Sequence, residues 1–281
     1  MPPLKLLCGI ALTCCMAQAI AQIPNAGFEN WVDQGGYIEP ANWNTYNDVI
    51  TPQGYFITVE AGSPGAVGAY HAVLTSRTTQ SGTTIQGWMS TGFTFSERPA
   101  TLTGQWQYGI QSSDTGEVVI ALTGPNDITG ESEMIAYGTL EVTGSLGTWT
   151  SFSVPFTYFS NATPDTAYIV FAASKDFLAP VDGSFMKVDD LAFTGAVGLD
   201  DTATLPRFSL YPSPTSDMLH IAGEQHITDV IMMDVTGRMI LQHAVQAERA
   251  QLDVQHLRAG RYFLIVTAID GTRSVRSFVK E

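Results

Sequence analysis

Two short, uninterrupted apolar runs constrain this chain most: Val118-Val119-Ile120-Ala121-Leu122 and Tyr168-Ile169-Val170-Phe171-Ala172. Each is too brief for a buried helix and is rich in β-branched or aromatic residues. Such a run suits a strand covered on both sides, or one tightly packed within a sandwich. Further strands are expected over residues 55–60, 69–75, 102–110, 117–122, 149–156, 166–173 and 185–193, separated by Gly, Pro, Ser and Asn. No ten-residue stretch between positions 22 and 195 carries helical periodicity. The expectation is an all-β chain whose larger part, residues 22–195, folds as two packed antiparallel sheets in a jelly roll.

Charge divides the chain independently of any strand assignment. Residues 22–205 carry 19 acidic side chains against four basic ones, Arg77, Arg98, Lys175 and Lys187, whereas residues 206–281 carry eight of each. An acidic domain of this kind repels nucleic acid and anionic headgroups and favours cations or neutral ligands. Residues 196–205, small and polar, read as a linker. At the other end, Lys5 precedes an apolar stretch from Leu6 to Ala17, and Ala19-Ile20-Ala21 offers a small-x-small cleavage site. Residues 1–21 therefore read as a signal peptide, with an apolar core too short for a membrane span. Cys8, Cys14 and Cys15 all lie within it, so the mature chain would keep no thiol and no membrane-spanning segment. Lipid anchoring at Cys14 is the alternative, but Thr13 stands where a small residue is needed.

The last part of the chain has a distinctive order of motifs. Phe208-Ser209-Leu210-Tyr211-Pro212-Ser213-Pro214 is followed by Leu219-His220-Ile221, then by Ile227 to Thr236-Gly237-Arg238. Leu257-Arg258-Ala259-Gly260-Arg261-Tyr262 and a final Ser274 to Lys280 complete it. Pro212 and Pro214 fix a rigid turn, and apolar runs recur between glycines as in a seven-strand-like antiparallel sandwich. The order resembles the type A C-terminal sorting domain of the type IX secretion system of the Bacteroidota, with Ser213 where that family usually has Asn. The resemblance implies a small immunoglobulin-like β-sandwich over residues 206–281. It also implies the type IX machinery as a partner, and a secreted or cell-surface destination. His220, His226, His243 and His256 fall here without the spacing of a zinc motif.

The ends of the acidic domain carry a second resemblance. Pro24-Asn25-Ala26-Gly27-Phe28-Glu29-Asn30-Trp31 opens it, Pro40-Ala41-Asn42-Trp43 follows, and Lys187-Val188-Asp189-Asp190-Leu191 closes it. These motifs resemble those of galactose-binding-like jelly rolls in carbohydrate-binding modules, and of carbohydrate-metabolism domains found beside type IX sorting tails. The resemblance implies that the first and last strands lie side by side. It further implies a structural calcium ion held by Glu29 and Asp189 or Asp190, with the carbonyl of Asn25 among the oxygen ligands. Calcium accepts six to eight hard oxygen ligands, which an acidic exported domain can supply.

A glycan site needs an aromatic platform and converging polar groups. All five tryptophans, Trp31, Trp43, Trp88, Trp106 and Trp149, lie in the acidic domain. Trp31 and Trp43 belong to the fold-marking motifs and read as structural. Gly104-Gln105-Trp106-Gln107-Tyr108-Gly109 sets aromatic and amide groups on one strand, so Trp106, Tyr108 and Gln107 are the expected ligand contacts, with Arg77 as a hydroxyl donor. Catalysis is the competing class. There is no Gly-x-Ser-x-Gly elbow or phosphate loop, and the domain holds one histidine, His71, which speaks against Ser-His-Asp and zinc hydrolysis. Glycoside hydrolysis asks only for two carboxylates about 5–9 Å apart, and nothing singles out a pair. An adhesion or matrix role without a small ligand is the third reading.

Overall fold

The computed structural model describes residues 23–111, 113–125, 132–197, 208–234, 239–270 and 273–281. The expected signal peptide with its cysteines, and most of the expected linker, lie outside the described residues. The described residues form strands and turns with no helix, as the β-branched runs require.

Two antiparallel sheets make the jelly roll. One has six strands, in the order Thr157–Tyr158, Ser132–Val142, Gly116–Pro125, Thr166–Ala172, Trp88–Thr94 and Asn44–Thr45. The other has five, in the order Ser145–Pro155, Thr101–Gly109, Phe185–Thr194, His71–Thr75 and Val59–Gly62. Alternation along each strand decides what enters the space between them. Leu102 and Trp106 point inward, where they meet Ile120, Leu122, Ile169 and Phe171 of the facing sheet in one buried cluster. Gly104 leaves room on the same row: a Cβ there would fall 2.7 Å from the ring of Phe152 and 2.8 Å from Leu191.

The N-terminal segment lies against the last strand of the jelly roll, as expected, with Leu191 N–H donating to the Ala26 carbonyl at 3.0 Å. Phe28 is fully buried and packs 5.2 Å from Trp43. The two indoles close this corner, Trp31 donating to the Phe28 carbonyl at 2.7 Å and Trp43 to the Pro24 carbonyl at 3.0 Å. Both tryptophans are thus structural.

The C-terminal domain has five strands, Phe208–Tyr211, Met218–Asp234, Met239–Asp253, Gly260–Ala268 and Arg273–Lys280. The two long strands break register near residues 222–229 and serve both halves of a small sandwich. Among the described residues the domain's strands form one five-stranded antiparallel sheet, fewer than the seven segments that the sequence suggests. Its own core joins Leu219 and Ile221 of one half to Val230, Met232, Leu264 and Phe278 of the other.

Candidate functional site

The closing motif Val188-Asp189-Asp190-Leu191 is a β-bulge. Opposite Gly104 the pairing jumps from Gln105↔Asp189 to Thr103↔Ala192, so two residues stand against one. Asp190 takes the extra position with φ of 51°, a left-handed backbone that Asp tolerates better than most side chains. The bulge resets the alternation: Val188 and Leu191 both point into the core, and Asp189 is turned outward under the loop of residues 63–70.

That loop is held by two carboxylates. Asp189 Oδ2 accepts the Val67 N–H at 3.0 Å and Oδ1 accepts the Asp190 N–H at 2.8 Å. Glu29 Oε1 accepts the N–H groups of Ala69 and Tyr70 at 2.7 and 3.1 Å. Burial pushes the Asp189 carboxyl above the usual range, against the lowering effect of those amide donors. The Asn25 side chain is spent on its own turn, accepting the Asn30 N–H at 3.1 Å and donating to the Asn30 carbonyl at 2.8 Å. The expected calcium ligands are two carboxylates and backbone oxygens; in this arrangement each carboxylate accepts N–H donors, and the Asn25 carbonyl accepts the Phe28 N–H at 2.9 Å. They fit an anionic clamp on a loop.

Of the expected sugar contacts, Trp106 is corrected outright. It is 6% exposed, because it shares the inward row of Leu102 and Gly104, and its ring packs 4.8 Å from Phe152. Tyr108 follows it inward, half-buried, with its ring 5.2 Å from Trp106. Trp106 offers no stacking face to solvent. Gln107 does point outward, opposite Lys187 in the neighbouring strand. Arg77 stands at the far margin of the same face, where it pairs with Glu60 at 2.8 Å.

The outer face of the five-stranded sheet instead centres on Trp149. Its strand carries an irregularity there: Thr150 pairs with Trp106 and Leu146 with Tyr108, which leaves residues 147–149 opposite a single residue. Trp149 meets His71 edge-on at 5.0 Å, although two strands separate their own, so the two side chains meet above Thr101–Gly109 and Phe185–Thr194. His71 is 4% exposed, with the Pro64 backbone beside its ring. Burial first, and then the nearby Lys187 charge, lower its pKa and keep the imidazole neutral. Around this pair lie Gln105, whose amide donates to the Ser151 hydroxyl at 2.9 Å, Gln107 and Lys187.

The outer face of the six-stranded sheet has a different character. Val119, Ala121, Val170 and Ala172 form its apolar centre, flanked by Trp88, which stacks 4.8 Å from Tyr46. This centre is buried beneath the C-terminal domain, whose Ile231, Met233, Phe263, Ile265 and Val275 belong to the same cluster. At its margin Glu117 is 3% exposed, accepts the Thr139 hydroxyl at 2.9 Å, and is pushed up by burial to about 7. An open groove of about 470 Å³ between Ser90, Thr94, Thr166 and Tyr168 continues this face.

The fold and its faces define an all-β protein, a jelly roll carrying a small C-terminal β domain. Residues 209–281 match the family model of the secretion system C-terminal sorting domain, so the second domain is a type IX sorting tail that directs export to the cell surface or extracellular space. No curated protein sequence matches the chain. Among solved structures, a candidate glycoside hydrolase of Bacteroides thetaiotaomicron is similar at 15% identity and a TM-score of 0.50, over 61% of this chain and 71% of that one. The family 11 carbohydrate-binding module of a Clostridium thermocellum cellulase is 13% identical, with a TM-score of 0.34 over 64% and 97%. The K3 adhesin domain of Lys-gingipain from Porphyromonas gingivalis is 17% identical, with a TM-score of 0.34 over 62% and 100%. At these identities the likeness concerns the fold. No helix among the described residues is long and apolar enough to cross a membrane.

Proposed function

We propose that the jelly roll is a non-catalytic carbohydrate-binding module that takes glycan on the outer face of its five-stranded sheet. The observation that carries this reading is the Trp149–His71 pair, an indole braced edge-on above a row of amide and charged side chains on the face that the tail leaves bare. An indole supplies a stacking surface for sugar C–H groups, and Gln105, Gln107 and Lys187 supply hydroxyl partners. Arg77, joined to Glu60, closes the margin. Absence of catalysis is part of the proposal: of the three raised carboxyls, Glu117 and Asp189 are buried, one at the tail contact and one under the loop of residues 63–70, and Glu39 is half-buried and accepts the Thr45 hydroxyl at 2.9 Å.

A glycan array on the full chain tests it. Saturable binding to one glycan class, lost in Trp149→Ala while the thermal transition persists, is the expected result. An array without binding, or binding unaffected by Trp149→Ala, overturns the assignment.

A further inference from the structure

The strands that join the two domains are apolar on both sides, and the alternation separates two uses. In Met218–Asp234, Val230 and Met232 point into the tail's own core, while Ile231 and Met233 point to the jelly roll. Gly260–Ala268 repeats the pattern, with Leu264 and Val266 inward and Phe263 and Ile265 toward the jelly roll. An autonomous small sandwich with polar surroundings would carry polar residues at 231, 233, 263 and 265. The jelly roll answers with its own doubly apolar strands, in which Val118, Ile120 and Leu122 fill the core and Val119 and Ala121 meet the tail.

Polar groups at the margin add direction to this contact. Arg261 of the tail donates to the Ser132 carbonyl of the jelly roll at 3.2 Å, and the Arg273 guanidinium lies 5.8 Å from the Tyr137 ring centre. Arg273 also bears on the buried Glu117. Arginines thus face the acidic domain from a tail whose acidic and basic residues balance. Charge opposes the pairing of two such acidic jelly rolls through this face and favours the tail as its occupant.

We propose that residues 208–281 are a docked partner of the jelly roll and not a tethered appendage, so that the two domains stay bound through the outer face of the six-stranded sheet when the connecting residues 198–207 are cut. The sheet-to-sheet contact holds them, and the covalent link is not needed once both are folded. Signal removal then takes two events, a cut and a displacement. This inference does not depend on whether the opposite face binds glycan.

The test uses the full chain with a specific protease site placed within residues 198–207, cut to completion and run on a sizing column at micromolar concentration. The two fragments are expected to co-elute at the position of the uncut chain. Separate elution of the cut fragments overturns the proposal. Two variants locate the contact: Ile265→Asp, and the double change Arg261→Glu with Arg273→Glu, which leaves the inner core of each domain untouched. The Ile265→Asp tail is expected to be released on cutting, and the charge variant to release its tail at a tenfold lower dilution than the parent requires. Co-elution unchanged in both variants would place the contact elsewhere and equally overturn it.

Discussion

The two outer faces of the jelly roll belong to one sandwich but follow opposite rules. The face of the six-stranded sheet presents Val119, Ala121, Val170 and Ala172 and lies beneath the tail. The face of the five-stranded sheet presents Gln105, Gln107, Lys187 and a partly buried Trp149, with no strand laid over it. An aromatic residue therefore means different things on each. Trp88, 6% exposed, is packing material at a domain contact, whereas Trp149 has a ring braced by one neighbour. Composition alone does not separate these roles. What separates them is whether the surrounding row is apolar and covered by the tail, or amide-rich and only partly covered, by the loop of residues 63–70.

The largest effect that sharpens this contrast lies inside the sandwich. Trp106→Ala removes a buried ring and is expected to cost about 3–5 kcal/mol of stability, read from urea unfolding. Trp149→Ala should abolish glycan binding while costing under about 2 kcal/mol, because its ring is only partly buried. If the two losses in stability prove equal, the distinction between inner and outer row fails.

The covered face should also respond to pH. Glu117 is held near 7 in the folded chain, against 4.5 for the free group. A carboxyl raised on folding favours the protonated native state. Its contribution is therefore fully present below about pH 4.5, declines as pH rises toward 7, and stays lost above that, on the order of 2–3 kcal/mol in all. Lys175, Thr139 and Arg273 lower the same group and limit the size of the effect, while the Glu141 charge adds to it. Urea midpoints at pH 5 and pH 8 should differ less in Glu117→Gln than in the parent. An equal difference in both would remove Glu117 from the account.

Smaller effects are expected around the bare face. Asp189→Ala strands the Val67 N–H under the loop of residues 63–70 and should cost about 1–3 kcal/mol. Chelator should leave the thermal midpoint of the parent where it was; a marked fall would restore the calcium reading of Glu29 and Asp189. Arg77→Ala breaks an exposed pair with Glu60 and should change stability by under about 1 kcal/mol.

Much of this architecture is legible in the sequence. The runs at 118–122 and 168–172 declare strands covered on both sides, and they are; what covers them is not written in the runs themselves. The motifs around Phe28 and Asp189 mark two segments that lie together, because each must fit the other's backbone. Their bulge was not legible, since it appears only when Asp189 is paired with Gln105 across two strands. Trp106 was misassigned although the signal was present: Leu102, Gly104 and Trp106 alternate with Thr103, Gln105 and Gln107, and the apolar row faces inward. Trp149 owes its role to a local irregularity in pairing and to His71 two strands away. Neither follows from neighbours along the chain.

The order in which the ribosome delivers these parts gives the tail contact a temporal meaning. The apolar sheet face is complete once the strand Thr166–Ala172 has emerged, whereas its cover begins only at Phe208. In any stage in which the jelly roll is folded and the tail is not, that apolar surface is finished and unprotected. Holding factors can recognise the chain during that interval, and the arrival of the export signal itself ends it.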